Sequence, residues 1–207
     1  MNRRIHTLPS LTGARISVIR SLYNEQYASR FPGIRKGLYR KHDWQRLEYC
    51  LTFVPPGTRS VLDVGTGPGA LLNYLKLCGD YSLVTGVDVR QYSKFVKLTE
   101  ALDFRVMNAC KMTFKDAAYD VVICMEVLEH LDDRSFFQAL GELRRVARKR
   151  LIISVPYNES LPLPSYHKQR FDDERLLALF PRSRIELLQR SPVNSDAWAF
   201  IMEDTTV

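Results

Sequence analysis

Ser60-Val61-Leu62-Asp63-Val64-Gly65-Thr66-Gly67-Pro68-Gly69-Ala70 is the stretch whose reading decides the fold. A short apolar run leads into glycines at every second position. Leu71-Leu72-Asn73-Tyr74-Leu75 follows and reads as the start of a helix. The pattern is strand, tight glycine turn, helix. Glycine adopts positive φ and has no Cβ, so a ligand can lie directly against such a turn. The helix behind it offers unpaired N–H groups and a partial positive charge. Pro68 suits a first helical turn, where no N–H is needed.

The same alternation of strand and helix continues outward from that stretch. Leu83–Val87 is a second apolar strand ending at Asp88, and Gln91–Leu102 reads as a helix carrying Phe95, Val96 and Leu98. Phe104–Met107 is a short strand ending at Asn108. Tyr119–Met125 and Leu151–Val155 are nearly continuous apolar runs, as strands buried on both faces must be. Asp132-Asp133 precedes a helix from Arg134 to about Arg148, with the basic run Arg144–Arg150 in its last turns. These acids carry the donors of a metal site and equally those of a helix cap. Capping is the simpler reading, and no metal is expected. Asp172–Phe180 is a short helix, and Arg184–Leu188 and Ala197–Met202 are two last strands joined closely enough to pair antiparallel. The expected fold is α/β. It is a Rossmann-like, seven-stranded, mostly parallel sheet with an antiparallel C-terminal strand, helices on both faces and an N-terminal helical cap.

Upstream of the sheet, Ile16, Ile19, Tyr23 and Tyr27 recur at helical spacing over Ala14–Arg30, and a second helix covers Asp43–Thr52. Pro55-Pro56-Gly57 divides this segment, residues 1–57, from a main domain over 58–207. The chain has 207 residues and a net charge of +7, with 45% hydrophobic residues. All the excess charge lies in residues 1–50, which hold ten Lys/Arg against three Asp/Glu; the twenty of each sign elsewhere cancel. Aromatics are interleaved with those cations. Two readings stay open: a surface for a phosphate-bearing or acidic partner, or a solvated helical face with its aromatics packed inward. No window approaches the about 18 apolar residues of a spanning helix. The basic N-terminus is followed by no apolar signal core. Cys50, Cys78, Cys110 and Cys124 show no C-x-x-C spacing and read as buried thiols, so a cytoplasmic location is expected.

In an open parallel sheet the ligand binds beyond the carboxyl ends of the strands, where strand order reverses. Asp88, at the end of the second strand, can take a pair of ribose hydroxyls, so the ligand contains a nucleoside. Gly65-x-Gly67-x-x-Ala70 with Asp88 about twenty residues on also satisfies the dinucleotide fingerprint. On spacing alone a nicotinamide-dependent oxidoreductase stays open.

Asp63-Val64-Gly65-Thr66-Gly67-Pro68-Gly69 resembles the D-x-G-x-G-x-G first motif of class I S-adenosylmethionine-dependent methyltransferases. Tyr119–Ile123 with Val127-Leu128-Glu129-His130-Leu131 resembles the fourth motif of the branch that includes ubiquinone- and menaquinone-biosynthesis methyltransferases. The terminal strands resemble that family's antiparallel hairpin, and the resemblance covers about residues 58–203. It implies S-adenosylmethionine as cofactor. Asp63, Gly65, Thr66 and Gly67 would lie around its methionine moiety, Asp88 would hold the ribose and Val89 would lie on the adenine face. Asn108 and Ala109 would meet the adenine edge, although the family more often has Asp at the first of these. Glu126 would sit near the sulfonium.

An oxygen or nitrogen acceptor must lose a proton, which a neutral histidine can take near neutral pH. His130 and His167 are the candidates; each also has a purely structural reading. The long segment Pro156–Arg170 is expected to wall the acceptor pocket, with residues 1–50 as the opposite cover. A small-molecule acceptor is the leading reading, anionic if the basic segment serves it. RNA is the alternative partner, and a non-catalytic cofactor-binding subunit is the alternative class.

Overall fold

The computed structural model describes residues 14–31, 41–190 and 197–205. The basic residues Arg35, Lys36 and Arg40 and the connection 191–196 lie outside the described residues. One seven-stranded sheet organises the chain, with strands β1 (Ser60–Val64), β2 (Leu83–Asp88), β3 (Asp103–Val106), β4 (Tyr119–Met125), β5 (Ala147–Tyr157), β6 (Arg184–Gln189) and β7 (Ala197–Asp204). Their order is β3-β2-β1-β4-β5-β7-β6. All neighbours are parallel except β7, which runs antiparallel to both β5 and β6. Chain order reverses between β1 and β4, and the crevice of an open sheet opens at that point.

Alternation along the central strands feeds two cores. Val61, Val121, Ile123 and Ile152 face one layer; Leu62, Val64, Val122, Cys124, Leu151 and Ile153 face the other. The first layer is covered by α1 (Ala14–Arg30), α2 (Lys41–Leu51) and α3 (Ala70–Cys78), the second by α4 (Asp133–Val146) and α5 (Asp173–Leu179). Tyr23 and Tyr27 of α1 and Trp44 of α2 are buried with Leu72 and Tyr74 of α3. Among the described residues, Tyr23, Tyr27, Trp44 and Tyr49 are therefore core residues, and the inward-packed reading holds for them. Each ring removes a large apolar area from water, which ties both helices to the sheet.

Three local expectations are corrected. Gln91–Leu102 is not a helix but a run of turns. The buried Asn73 donates from Nδ2 to Gly69 O (2.7 Å) and Val96 O (2.8 Å) and accepts from Leu98 N (2.9 Å), while Val96 N donates to Pro68 O (2.9 Å). Those bonds from the glycine-turn region replace the intrahelical ladder. Pro68 itself precedes α3 rather than entering its first turn, because Gly69 is the N-cap residue in left-handed conformation. Finally, α4 stops at Val146 and β5 opens on Ala147 and the basic residues Arg148, Lys149 and Arg150, where Arg148 and Lys149 reach Asp120 across the β4–β5 pair. Asp132 caps α4, its Oδ1 accepting from Ser135 N at 2.8 Å, as the capping reading requires.

Candidate active site

At the carboxyl end of β1 the backbone turns through Gly65, Gly67 and Gly69 with φ of 79°, 54° and 93°. The first two glycines serve different ends. A Cβ on Gly65 would lie 2.1 Å from Val127 Cγ2, so the segment after β4 packs directly over that residue. A Cβ on Gly67 would meet nothing closer than Gly65 O at 3.9 Å, so the open face of the turn is at Gly67. The side chain of Thr66 is buried and ties the strands together, donating to Asp63 O (3.1 Å) or Val87 O (3.2 Å). Asp88 Oδ2 accepts from Gly67 N at 2.8 Å and so fixes the turn to the end of β2.

Asp63 is 2% exposed, and its Oδ2 has no hydrogen-bond partner. Burial pushes its carboxyl up, a hydrogen bond from Thr66 opposes this and the charge of Asp88 adds to it, leaving Asp63 at about 7. A buried acceptor atom left open beside an open glycine turn fits a ligand that brings a donor or a positive charge. Val89, 65% exposed, stands next to Asp88 as an uncovered apolar side chain. Asn108 and Ala109 follow β3, whose Val106 pairs with Asp88. Asn108 is exposed, and its Oδ1 accepts from Cys110 N at 2.8 Å, closing its own turn. Asp88 and Val89, and Asn108 and Ala109, thus lie at or just beyond the carboxyl ends of the neighbouring strands β2 and β3.

The other side is built by side chains. Glu126, just past β4, holds φ of 55° without being glycine. Its carboxylate accepts from Ser154 Oγ (3.0 Å) and Trp198 Nε1 (3.0 Å) and pairs with Arg46 Nη1 (2.7 Å). The guanidiniums of Arg46 and Arg190 lie 5.1 and 4.9 Å from the Trp198 ring centroid. Arg46 brings α2 to this end of the sheet, and Tyr23 donates to Pro68 O at 3.0 Å, which brings α1 to the glycine turn.

Pro156–Arg170 folds back over the residues after β4. Lys168 N and Gln169 N donate to Glu129 O at 2.7 and 3.1 Å. His130 and His167 are thereby brought together, ring centroids 5.1 Å apart. His130 Nδ1 lies 3.0 Å from Tyr166 O, and His167 Nδ1 lies 2.8 Å from Glu159 Oε2. A carbonyl and a carboxylate only accept, so Nδ1 carries a proton on both rings. Glu129 lies buried beside them, with Oε2 unpartnered. Burial first, and then the neighbouring Glu126 carboxylate, hold its carboxyl well above the ordinary carboxylate range. The sequence reading missed Glu129, Glu159, Arg46, Ser154 and Trp198. Only Glu129 left a signal, an acid inside the apolar run Val127–Leu131.

Residues 62–153 match the family described as methyltransferase domain. An uncharacterized methyltransferase of Schizosaccharomyces pombe is 28% identical over 177 residues, covering 77% of this chain and 62% of that protein. A ubiquinone biosynthesis O-methyltransferase of Cronobacter sakazakii is 39% identical over 93 residues, covering 41% of this chain and 37% of that protein. The chain thus spans less than two thirds of the length of these curated relatives. Among solved structures, Burkholderia thailandensis 1,6-didemethyltoxoflavin-N1-methyltransferase, with bound 1,6-didemethyltoxoflavin and S-adenosylhomocysteine, superposes with a TM-score of 0.61. That likeness covers 99% of this chain and 95% of the other at 17% identity, and shows a common fold.

Proposed function

We propose that the chain is a class I S-adenosylmethionine-dependent methyltransferase, in the branch resembling the ubiquinone-biosynthesis enzymes, and that it methylates a hydroxyl group of a small-molecule acceptor. The cofactor is S-adenosylmethionine, so the nicotinamide alternative left open by the glycine spacing falls away. The observation that carries the reading is the open turn at Gly67 beside the unpartnered Asp63 Oδ2. The bare backbone of the turn follows in sequence directly after a buried, unpartnered acceptor atom, as suits a ligand with a cationic end.

Bound there, the cofactor supplies a sulfonium methyl group. Asp63 receives its cationic end, Gly65, Thr66 and Gly67 present backbone, Asp88 holds the ribose hydroxyls, Val89 covers a base face, and Asn108 and Ala109 line its edge. Glu126 braces the floor between the two halves: its own oxygens are engaged by Ser154, Trp198 and Arg46. The helices of residues 1–57 cover the crevice, and Pro156–Arg170 forms the facing wall. His130 and His167 handle the acceptor's proton. Positioning and exclusion of water are the other contributions this chain makes. The O-methyltransferase names of the relatives support an oxygen acceptor.

Calorimetry with S-adenosylhomocysteine and NAD tests the reading. S-adenosylhomocysteine should bind, and Asp88→Ala should weaken it by about 1.5–3 kcal/mol through loss of charge-assisted hydrogen bonds. Binding of NAD with no response to S-adenosylhomocysteine would refute it.

A further inference from the structure

We propose that a cavity at the amino end of the sheet, opposite the crevice, is a second binding site, one that takes the phosphate group of a small organic phosphate. The cavity holds about 540 Å³, the size of a small-molecule site. Arg144 near the end of α4, Arg150 of β5, Arg182, and Arg184 at the start of β6 all line it. The basic run Arg144–Arg150, which the cofactor crevice does not use, supplies two of these cations. Arg150 stands opposite Asp204 in the β5–β7 pair, and Arg184 opposite Met202 in the β6–β7 pair. Tyr157 and Gln189, at the other ends of β5 and β6, stand opposite Ala197, so the cavity lies a strand length away from the crevice.

Four guanidiniums around one cavity repel one another, and the fold holds three of them by pairing. Arg144 donates from Nε and Nη2 to Glu203 (both 2.7 Å) and from Nη2 to Leu179 O (3.1 Å). Arg150 donates from Nε to Asp204 (2.6 Å) and from Nη1 to Phe53 O (2.9 Å). Arg184 donates from Nε and Nη2 to Glu186 (2.8 and 2.6 Å). Nη1 of Arg144, Nη2 of Arg150 and Nη1 of Arg184 are left without an acceptor among the described residues. Arg182 is exposed and has no hydrogen bond or ion pair among them at all. Arg144 and Arg184 also lie over the rings of Phe180 and Phe53, 5.6 and 5.9 Å from the centroids. They are therefore positioned before any ligand arrives.

Three ion pairs and one unpaired arginine leave a net positive charge and several N–H donors in need of acceptors. A phosphate group carries the matching negative charge and three acceptor oxygens, and the planar fork of arginine suits it. Phe180, Pro181 and Met202 give the same cavity an apolar side, against which a carbon skeleton can rest. Glu203 and Asp204 line it too, and they repel a long polyanion laid across it. The occupant is thus a small phosphate ester rather than a nucleic acid.

The test titrates ribose 5-phosphate, ribose, inorganic phosphate and a single-stranded RNA into the full chain by calorimetry, with and without saturating S-adenosylhomocysteine. Ribose 5-phosphate should bind as one equivalent in both conditions, more tightly than inorganic phosphate, and ribose should not bind. Arg182→Ala and Arg184→Ala should each weaken that binding by about 10-fold and leave S-adenosylhomocysteine affinity unchanged. If Arg184→Ala unfolds the protein by stranding Glu186, Arg182→Ala still decides, because the Arg182 side chain holds no polar contact in the fold. Failure of ribose 5-phosphate to bind overturns the site, as does its displacement by S-adenosylhomocysteine or affinity that ignores Arg182→Ala. Inorganic phosphate binding as tightly as the ester overturns the organic ligand. RNA binding tighter than the ester, with a steep fall in salt, overturns the choice of a small molecule.

Discussion

Asp63 and Asp120 sit on neighbouring strands, 2% and 0% exposed, and their surroundings differ completely. Asp120, at the amino end of β4, accepts from Arg59 N (2.8 Å) and Arg148 Nε (2.9 Å) and pairs with Lys149 Nζ (3.2 Å). Burial opposes its ionisation, but the Arg59 N–H and the two cations outweigh it and bring its carboxyl down to about 2. Asp63, near the carboxyl end of β1, has an oxygen with no partner and stands at about 7. The same contrast separates Glu142, held by Arg145 at 2.7 Å under the amino end, from Glu129 with its open oxygen. One end of the sheet saturates its buried charge and thereby contributes stability. The other leaves buried oxygens open, which costs stability unless a ligand completes them.

The largest expected effect breaks the saturated end. Asp120→Ala should lower unfolding free energy by about 2–4 kcal/mol, since it strands the Arg59 N–H and the β-sheet contacts around it. Affinity of the folded protein for S-adenosylhomocysteine should not change. Urea unfolding measures the first and calorimetry the second; a loss below about 1 kcal/mol would remove Asp120 from its structural role.

At the open end the sign reverses. Folding raises the Asp63 carboxyl from 3.8 to about 7. Between those values the folded chain keeps a proton that the unfolded chain has released, so stability falls as pH rises through that window. Asp63→Asn should therefore stabilise the protein by about 1–2 kcal/mol at pH 8 and change little at pH 4. Asp120 acts oppositely: its contribution is present above 3.8 and is lost as pH falls toward about 2. Binding should show the cost of the Asp63 gain. Wild-type affinity for S-adenosylhomocysteine should rise as pH passes through about 7 and Asp63 ionises, and Asp63→Asn should flatten that rise. Urea midpoints and calorimetry across pH check both halves; a variant no more stable at pH 8 than wild type means that the open oxygen costs nothing.

The two ends also differ in how far the sequence discloses them. The glycine turn, Asp88 and the apolar runs of β1, β4 and β5 were legible because each is a local pattern with one physical reading. The split between Gly65 and Gly67 was not, since it depends on Val127 arriving from another strand. Gln91–Leu102 has the composition of a helix, and it was misread because Asn73 and Pro68 claim its backbone from the turn region. His130 and His167 were each visible alone. Their meeting with Glu129 and Glu159 needed the fold of Pro156–Arg170, which carries no short-range signature. The mixed cations and aromatics of the N-terminal segment invited a binding-surface reading, yet Tyr23, Tyr27 and Trp44 are packed away from solvent.

The smallest effect sharpens what saturation means. The side chains of Arg148 and Lys149 are 48% and 47% exposed, so each contributes to Asp120 largely through solvent-screened attraction. Lys149→Met should cost only about 0–1 kcal/mol, because Arg148 and the Arg59 N–H still satisfy the carboxylate and the aliphatic stem is retained. Arg148→Met should cost slightly more, since it removes two hydrogen bonds as well as a charge. With both changed, Asp120 keeps a single N–H for two buried oxygens, and the loss should exceed the sum of the single variants. A double-variant cycle by urea unfolding measures that excess. Strict additivity would mean that each cation acts independently and that the amino end holds no reserve of donors, which would erase the difference between Asp120 and Asp63 except in number.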